Sequence, residues 1–259
     1  FGRNTAPAVA LAAMAAIEKT NFKDKLLLVL PSDHQILDKC ALNLAIKHAA
    51  DLAMKGKLVT FGIAARTPET GFGYLQKGAP LGEQGFEVEK FIEKPDKRAA
   101  EKYALDDNFF WNSGMFVFSS NTYLSELACF APLMTSVCQK VFASLEQTDD
   151  FKHIVAGIFE GCPAGSIDYT IMEKTELGAM VPLDAGWSDL GSWQALWEAQ
   201  KKDENNNAVI GDVVLENVCS SYVQSNSRLV SVVGLENVVI VETSDAVLVA
   251  DKSKAQDVK

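Results

Sequence analysis

The feature that most constrains the fold of this chain is an alternation of short apolar runs with helix-forming segments. Residues 25–30 (KLLLVL) are apolar without a break after Lys25, which is typical of a strand buried on both faces. The alanine-rich residues 6–19, which Asn4 or Thr5 can cap, predict a helix before that strand, and residues 38–54 predict another after it. This alternation predicts an α/β domain with a parallel sheet.

The alternation continues along most of the chain. Further strands are predicted at residues 58–63, 86–92, 115–118 and 179–183, and helices near 97–104, twice between 121 and 145, and at 168–174. Residues 67–85 hold many glycines and two prolines, which predict an irregular loop.

The character of the sequence changes after Trp197. Residues 201–207 form a charged, asparagine-rich hinge, and only short β-like runs follow. The tetrapeptide Leu-Glu-Asn-Val occurs at residues 215–218 and again at 235–238, which suggests successive turns of a β-solenoid or a pair of equivalent strands. We therefore predict two domains, residues 1–203 and residues 204–259.

The composition excludes several classes of partner. The net charge of −10 argues against non-specific binding to nucleic acid or to an anionic membrane, and no apolar run reaches membrane-spanning length. The cysteines are odd in number, irregularly spaced and without a CxxC pair, so reduced thiols in a reducing compartment are predicted. The start of the sequence does not resemble a signal peptide. We expect a cytoplasmic protein with no nucleic-acid or membrane partner.

Polar clusters stand at the ends of several predicted strands. Asp33, then Glu93 with Lys94, and then Asp189 follow strands, whereas Asn112 opens one. Ligands of open α/β sheets bind at the carboxyl ends of the strands. Two separate aspartates converging there would suit a divalent cation that the phosphates of a nucleotide help to bind.

Each cluster also has a structural interpretation. Asp33 could cap the following helix, residues 93–95 could form a turn with solvated charges, and residues 112–114 could form a tight turn. Residues 187–193 (WSDLGSW) favour function, because two tryptophans and a glycine around an aspartate are unusual in a plain loop. His34 is expected to orient its loop through a hydrogen bond. The sequence contains no GxGxxG, GxxxxGK[ST], HExxH or GxSxG motif, so dehydrogenase and hydrolase interpretations lack support.

Taken in order, these segments resemble the mannose-1-phosphate guanylyltransferase family of sugar nucleotidyltransferases. The matching segments are GRNTAPA at residues 2–8, LPSDH at 30–34, TGFGY at 70–74 (Phe72 departs from the tyrosine of the family), FIEKP at 91–95, WNSG at 111–114, GWSDLGSW at 186–193 and TSDAVLV at 243–249. The resemblance implies a Rossmann-like, GT-A-like nucleotidyltransferase domain with a mixed sheet flanked by helices. A short β-solenoid segment, similar to a left-handed β-helix, is implied after it.

The same resemblance implies a reaction. GTP and mannose 1-phosphate would give GDP-mannose and pyrophosphate, with Mg²⁺ as cofactor. Asp33 and Asp189 would hold the Mg²⁺, and Lys94 would bind the phosphate of the sugar. These three residues are the implied catalytic set.

Other residues are implied as substrate ligands. Glu93, Asn112 and the backbone at Gly73 would bind sugar hydroxyls, and Tyr74 belongs to the same implied set. Asn4 would lie by the guanine, and Arg3 would support that loop.

The family's glycine-rich loop, with its arginine for the triphosphate, precedes the GRNTAPA segment, whereas this sequence opens on that segment. We therefore expect an N-terminally truncated chain with little transferase activity alone. Two alternatives stay open: a sugar nucleotidyltransferase for another base or sugar, and a non-catalytic sugar-nucleotide-binding module. We also predict a homo-oligomer, since exposed ends of β-solenoids commonly stack.

Overall fold

The computed structural model describes residues 2–20, 23–147 and 152–257. These residues form two compact units, which we describe one at a time. The first unit comprises the chain up to Pro31 together with Asp38–Ala185, and the second comprises Ser32–Leu37 and the chain from Gly186 onward. The boundary expected between residues 203 and 204 stays a prediction.

The regular elements are numbered in chain order. The α-helices are α1 (Thr5–Lys19), α2 (Lys39–Ala53), α3 (Lys97–Tyr103), α4 (Ser120–Phe130), α5 (Pro132–Ala143), α6 (Ala156–Phe159) and α7 (Trp193–Ala199), with a π-helix at Asp168–Met172 and a 3₁₀-helix at Lys252–Asp257. The strands are β1 (Leu26–Val29), β2 (Gln35–Ile36), β3 (Leu58–Ala64), β4 (Tyr74–Leu81), β5 (Gly85–Ile92), β6 (Phe109–Ser119), β7 (Glu146–Gln147), β8 (Lys152–His153), β9 (Gly178–Pro182), β10 (Trp187–Ser188), β11 (Ala208–Ile210), β12 (Val213–Glu216), β13 (Tyr222–Ser225), β14 (Val230–Val233), β15 (Val238–Glu242) and β16 (Val247–Asp251).

The first unit is built on a six-stranded mixed sheet in the order β1-β6-β3-β9-β5-β4. Only β3 and β9 pair in parallel among its described pairings, so the expectation of a parallel sheet is wrong, whereas the mixed sheet flanked by helices is confirmed. The physical reason is the short connection at places such as the β4–β5 hairpin, since parallel strands need a longer crossover. Helix α2 packs on β3, β6 and β9, while α1, α4 and α5 pack on one another.

The helix predictions near the start of the chain are confirmed, and their caps explain why. Asn4 caps α1, its side chain accepting a hydrogen bond from the backbone of Thr5. Asp38 caps α2, its Oδ1 accepting from the backbone N–H groups of Cys40 at 2.8 Å and Ala41 at 2.9 Å. The cap of α2 is therefore Asp38, and the interpretation of Asp33 as the cap is wrong.

Strand β1 differs most from its prediction. The run expected to be buried on both faces exposes Leu26, Leu28 and Leu30 by 39%, 44% and 48%. The strand stands at the end of the sheet order, and its described pairing is with β6. An unbroken apolar run indicates a strand, but it does not indicate the position of that strand in the sheet.

The segment predicted as an irregular loop contains strand β4. Its pairing with β5 is interrupted between Gln76 and Lys77 and again between Lys77 and Pro80. These irregularities accommodate the glycine and the proline that suggested a loop, because a bulged strand tolerates both.

The second unit contains two parallel stacks, β11-β13-β15 and β12-β14, and β16 then pairs antiparallel with β15. This arrangement confirms the solenoid-like segment, although Leu215 lies opposite Val232 and not opposite its repeat counterpart Leu235. The repeats share something else: Asn217 and Asn237 have left-handed φ values of 54° and 55°, a conformation that asparagine tolerates better than most residues. The repeat therefore marks equivalent corners and not equivalent strand positions.

Each unit has its own apolar core. In the first, the buried alanines of α1 pack with Phe116, Phe118 and Leu127. In the second, Val218, Val223, Val232 and Ile240 form the interior of the solenoid. Within the described ranges, no helix is long and apolar enough to cross a membrane.

Candidate active site

The segment after β5 places a carboxylate and an ammonium group side by side. The side chain of Glu93 is only 10% exposed and that of Lys94 is 57% exposed, with 3.3 Å between Glu93 Oε1 and Lys94 Nζ. Lys94 adopts a left-handed φ of 48°. Its N–H donates to Phe72 O at 3.2 Å, and the N–H of Glu93 donates to Glu173 Oε1 at 3.1 Å. Because Glu93 is enclosed, the interpretation as a turn of solvated charges is wrong for this residue.

Asn112 lies inside strand β6, so the interpretation of residues 112–114 as a plain tight turn is wrong. The strand bulges at this point: Thr60 lies opposite Phe116, but Gly62 lies opposite Asn112. Gly114 takes the positive φ of 71° that this irregularity requires. The bulge therefore sets the position of the buried Asn112 side chain in the strand.

Gly73 brings these two groups together. A Cβ atom at Gly73 would lie 2.5 Å from Glu93 Oε2 and 3.4 Å from the Cβ of Asn112. The carbonyl of Gly73 accepts a hydrogen bond from the backbone N–H of Asn112 at 2.8 Å. Only glycine allows the Glu93 carboxylate to approach the backbone this closely.

Tyr74, which was grouped with the substrate ligands, has a fully buried side chain. Its hydroxyl donates to the carbonyl of Thr67 at 3.5 Å, and its ring packs against that of Tyr103 with 5.4 Å between the centroids. Burial also raises the pKa of this phenol. The described structure thus gives the Tyr74 side chain a packing position with no atom exposed to a substrate.

Asp168 is a member of this cluster that the sequence analysis placed only at the start of a short helix. It begins the π-helix, and its Oδ1 accepts a hydrogen bond from Asn112 Nδ2 at 2.9 Å. Burial raises the pKa of Asp168, an effect that hydrogen bonds from its own backbone, Asn112 and Ser166 and the charge of Lys94 partly offset. Turns of π-helix are frequent at functional sites, so the π-helix that begins at Asp168 agrees with its place in this polar cluster.

The charges around Glu93, Asp168 and Lys94 favour a ligand that carries neutral hydroxyl groups and one anionic group. Burial raises the pKa of Glu93, and the negative charge of Asp168 raises it further, while Lys94 partly offsets both. Two enclosed carboxylates accept hydrogen bonds from hydroxyl groups, and the exposed ammonium group of Lys94 can bind a phosphate as a point charge. This combination suits a phosphorylated polyol.

In the second unit the charges of Asp33 and Asp189 both act on His34. Strands β2 and β10 are antiparallel, with Gln35 opposite Ser188, and His34 precedes Gln35 while Asp189 follows Ser188. Asp33 is exposed and Asp189 is half-buried, with Asp189 Oδ1 accepting from the N–H of Gly191 at 3.1 Å.

His34 contacts Trp187 through a hydrogen bond and an edge-on ring contact. The indole Nε1–H of Trp187 donates to His34 Nδ1 at 3.1 Å, and the ring centroids are 5.4 Å apart. An indole can only donate, so Nδ1 is unprotonated and the neutral imidazole carries its proton on Nε2. Burial lowers the pKa of His34, which the charges of Asp33 and Asp189 partly counter. This agrees with the expectation that His34 orients its loop.

The donor set of the second unit fits a hard divalent cation. Mg²⁺ is usually bound by one or two carboxylates together with substrate phosphates and water. No group of three or more histidine, cysteine or acidic side chains gathers as a metal site in the part of the chain that the structure describes. The two aspartates would therefore need phosphate oxygens to complete the coordination.

Arg3 and Asn4 lie in the first unit, on the segment that leads into α1. Gly165 N donates to Arg3 O at 3.1 Å and Ala6 N donates to Gly165 O at 3.0 Å, so this segment is bound to the one before the π-helix. The guanidinium of Arg3 donates a hydrogen bond to the backbone carbonyl of Glu160. Asn4 is exposed and has a left-handed φ of 66°.

The buried thiol of Cys138 is not a candidate nucleophile. All five cysteines are free, and burial raises the pKa of Cys138 to about 12. A thiol with so high a pKa stays protonated at neutral pH and is a poor nucleophile.

Comparison with known proteins agrees with this chemistry. Residues 1–206 match the family described as Nucleotidyl transferase, and residues 211–259 match the MannoseP isomerase/GMP-like beta-helix domain. The chain is 45% identical over 258 residues to the mannose-1-phosphate guanylyltransferase of Salmonella muenchen, with 100% of this chain and 54% of the relative covered. It is 48% identical over 258 residues to Xanthan biosynthesis protein XanB of Xanthomonas campestris pv. campestris (strain B100), again with 100% and 54% covered.

The chain spans about half the length of these curated relatives. Among solved structures, mannose-1-phosphate geranyltransferase from Thermus thermophilus matches with a TM-score of 0.86 at 30% identity, over 99% of this chain and 73% of that protein. These matches confirm the family resemblance of the ordered motifs. With residues 1–206 matched, the chain belongs to the nucleotidyl transferase family.

Proposed function

We propose that this protein transfers GMP from GTP to mannose 1-phosphate and releases GDP-mannose and pyrophosphate. The observation that carries the proposal is the cluster of Glu93, Lys94, Asn112 and Gly73, which combines acceptors, a donor and one cation for a sugar phosphate. A relative that is 45% identical to this chain over 258 residues carries the name of this activity.

The chemistry needs positioning more than activation. A phosphate oxygen of mannose 1-phosphate attacks the α-phosphorus of GTP, and the bond from that phosphorus to the oxygen bridging the α- and β-phosphates breaks. That oxygen leaves with pyrophosphate, so atoms and charge balance without a covalent enzyme intermediate. A phosphate dianion needs no general base to act as nucleophile. Because mannose 1-phosphate and GTP are both anions, the rate enhancement comes from neutralising their charges and orienting them.

Residues of the first unit would hold the sugar phosphate. Lys94 would bind the phosphate through its ammonium group, and its exposure leaves that group accessible. Glu93 and Asn112 would bind sugar hydroxyls, with the backbone at Gly73 against the sugar ring. Hydrogen bonds to hydroxyls give strong selectivity, because an analogue that lacks one leaves enclosed polar groups unpaired.

Residues of the second unit would hold Mg²⁺. Asp33 and Asp189 are the proposed ligands, and their oxygen donors and partial exposure suit an ion that the nucleotide helps to coordinate. When bound, Mg²⁺ neutralises the negative charge that develops on the phosphates. His34, with its tautomer fixed by Trp187, would keep the segment of Asp33 in place.

Asn4 would lie against the guanine, and Arg3 would support its loop. The exposure of Asn4 at the start of α1 and the bond from Arg3 to Glu160 support these positions. We also propose a cytoplasmic location, which free thiols favour, and GDP-mannose supply for polysaccharide synthesis, which the name of the xanthan relative suggests.

We propose in addition that the protein self-associates through its β-helix segment. Val233, Val247 and Val249 are each exposed by more than 60% on that unit. A monomeric mass in light scattering at micromolar concentration would contradict this part of the proposal.

Calorimetric titration tests the proposed substrate. The chain is titrated in MgCl₂ with GDP-mannose, GDP-glucose, ADP-mannose and UDP-glucose, and GDP-mannose is expected to bind tightest. Equal or tighter binding of a uridine or adenine compound would assign the site to another nucleotidyltransferase. The absence of binding to a folded chain would contradict the substrate assignment.

A further inference from the structure

The amide of Asn112 is held in one orientation from both of its ends. Its Oδ1 accepts from the Thr60 hydroxyl at 2.7 Å, the shorter of that hydroxyl's two contacts (Met115 O lies 3.0 Å away), and from the backbone N–H of Gly114 at 3.3 Å. Its Nδ2 donates to Asp168 Oδ1 at 2.9 Å. A backbone N–H can only donate, and an ionised carboxylate can only accept, so a flipped amide would lose both contacts.

This orientation restricts what Asn112 can offer to a ligand. Both lone pairs of Oδ1 are used inside the protein, whereas Nδ2 carries a second hydrogen beyond the one that it gives to Asp168. Asn112 can therefore present a donor and not an acceptor. Ionised Glu93, next to it across Gly73, presents acceptors only.

We propose that Asp168 is a positioning residue that fixes Asn112 as a hydrogen-bond donor, so that a sugar hydroxyl accepts from Asn112 while Glu93 accepts from the sugar. This inference rests on the proposed function, because it takes the sugar of GDP-mannose as the ligand of this cluster. Asp168 acts through Asn112 and needs no contact with the sugar.

A carboxylate suits this task better than a neutral acceptor. Hydrogen bonds to an ionised acceptor are stronger than neutral ones, and the position is half-buried, where an unmatched amide is costly. The charged groups that face Glu93 are Asp168, Lys94 and Glu173. Lys94 is the single positive charge among them, and it also acts on Asp168. Its charge reduces the electrostatic repulsion between the carboxylates of Glu93 and Asp168.

Two substitutions at one position separate the hydrogen bond from the charge. Asp168→Asn keeps an oxygen that can accept from Asn112 Nδ2, whereas Asp168→Ala removes it. Calorimetry with GDP-mannose is expected to show about tenfold weaker binding for Asp168→Ala, and at most about threefold weaker binding for Asp168→Asn. Glu176→Gln, which neutralises an exposed carboxylate of the same unit, is the matched control and should bind as the wild type does.

A second readout does not depend on the ligand. The side-chain amide signals of Asn112 in a ¹⁵N–¹H spectrum should keep their positions in Glu176→Gln, and they should move much less in Asp168→Asn than in Asp168→Ala. If the wild-type chain binds no GDP-mannose, the proposed function fails, and these spectra still report whether Asp168 fixes the amide.

Three results would overturn the inference: wild-type affinity in Asp168→Ala, equal losses in both Asp168 variants, or unmoved Asn112 signals in Asp168→Ala. Should Asp168→Ala fail to fold, Thr60→Val takes its place, because it removes with little change of shape the hydroxyl that contacts Asn112 Oδ1 and Met115 O. That variant should bind GDP-mannose more weakly than Thr60→Ser, which keeps the hydroxyl. Equal affinity of the two would likewise refute the role of a fixed amide.

Discussion

The two units hold their acidic residues in different surroundings. In the first unit Glu93 is 10% exposed, Asp168 is half-buried, and burial raises the pKa of each. In the second unit Asp33 is exposed and Asp189 is half-buried beside a neutral imidazole. Enclosed carboxylates with internal hydrogen bonds favour neutral hydroxyl partners, whereas carboxylates near solvent favour a cation that arrives with its own ligands. Burial therefore separates two roles that residue type alone does not.

The largest expected effect concerns the two aspartates of the second unit, Asp33 and Asp189. Asp189→Asn should abolish the gain in GDP-mannose affinity that MgCl₂ gives the wild type. The expected loss is about a hundredfold, because a bound metal ion stabilises the negative charge of the phosphates by several kcal/mol. Calorimetry with MgCl₂ and with EDTA measures this difference, and affinity in EDTA should be little changed. Asp184→Asn, at an exposed aspartate of the first unit, is the control. If the affinity of Asp189→Asn for GDP-mannose depended on Mg²⁺ as strongly as that of the wild type, the assignment of Mg²⁺ to Asp33 and Asp189 would be wrong.

A smaller effect is expected at Gly73, where the Glu93 carboxylate approaches the backbone. Gly73→Ala places a methyl group 2.5 Å from Glu93 Oε2, so the carboxylate must move and GDP-mannose should bind about tenfold more weakly. Gly71→Ala is a matched control two residues away, because a Cβ there has nothing within 4 Å. The same calorimetric titration compares the two variants. Equal affinities would mean that the close approach of Glu93 to Gly73 is not needed for binding.

Sequence reasoning predicted the parts of this comparison that depend on local pattern. The segments of Glu93, Asn112 and Asp189 stood out through unusual residues at the ends of predicted strands, and helix α1 was predicted with its cap at Asn4 or Thr5. It also predicted the β-helix segment, because Leu-Glu-Asn-Val recurs at residues 215–218 and 235–238 and because the ordered motifs resemble the family.

What the sequence did not reveal depends on contacts between distant residues. Asp168 meets Asn112 across 56 positions of the chain, and nothing next to Asp168 in sequence indicates that contact. The exposure of Leu26 and Leu28 likewise follows from the place of β1 in the sheet order. Apolar runs give strands, but sheet order and bulges decide which side chains meet.

The stability of the first unit should reveal the cost of enclosing Glu93. A carboxyl whose pKa is raised above its ordinary 4.5 binds its proton more tightly in the folded state. The free energy of unfolding therefore falls as pH rises from below 4.5 through the raised value. Glu93→Gln removes this cost, so the variant should be more stable than the wild type in urea at pH 7, and the advantage should disappear by pH 4. A wild type that is the more stable protein at pH 7 would show that Lys94 outweighs burial.

The smallest effect is expected at the exposed end of the comparison. Asp33→Asn should change the free energy of unfolding at pH 7 by no more than about 0.5 kcal/mol, because substitutions at exposed positions rarely do more. Urea denaturation at pH 7 and pH 4 measures it, and the near-zero difference should hold at both. Asp38→Asn is the reference for a structural aspartate nearby, since asparagine keeps the cap of α2 and should also be mild, whereas Asp38→Ala should destabilise by about 1 kcal/mol. A large loss of unfolding free energy in Asp33→Asn would mean that Asp33 stabilises the fold without a ligand. The contrast between the carboxylates of the first unit and those of the second would then fail.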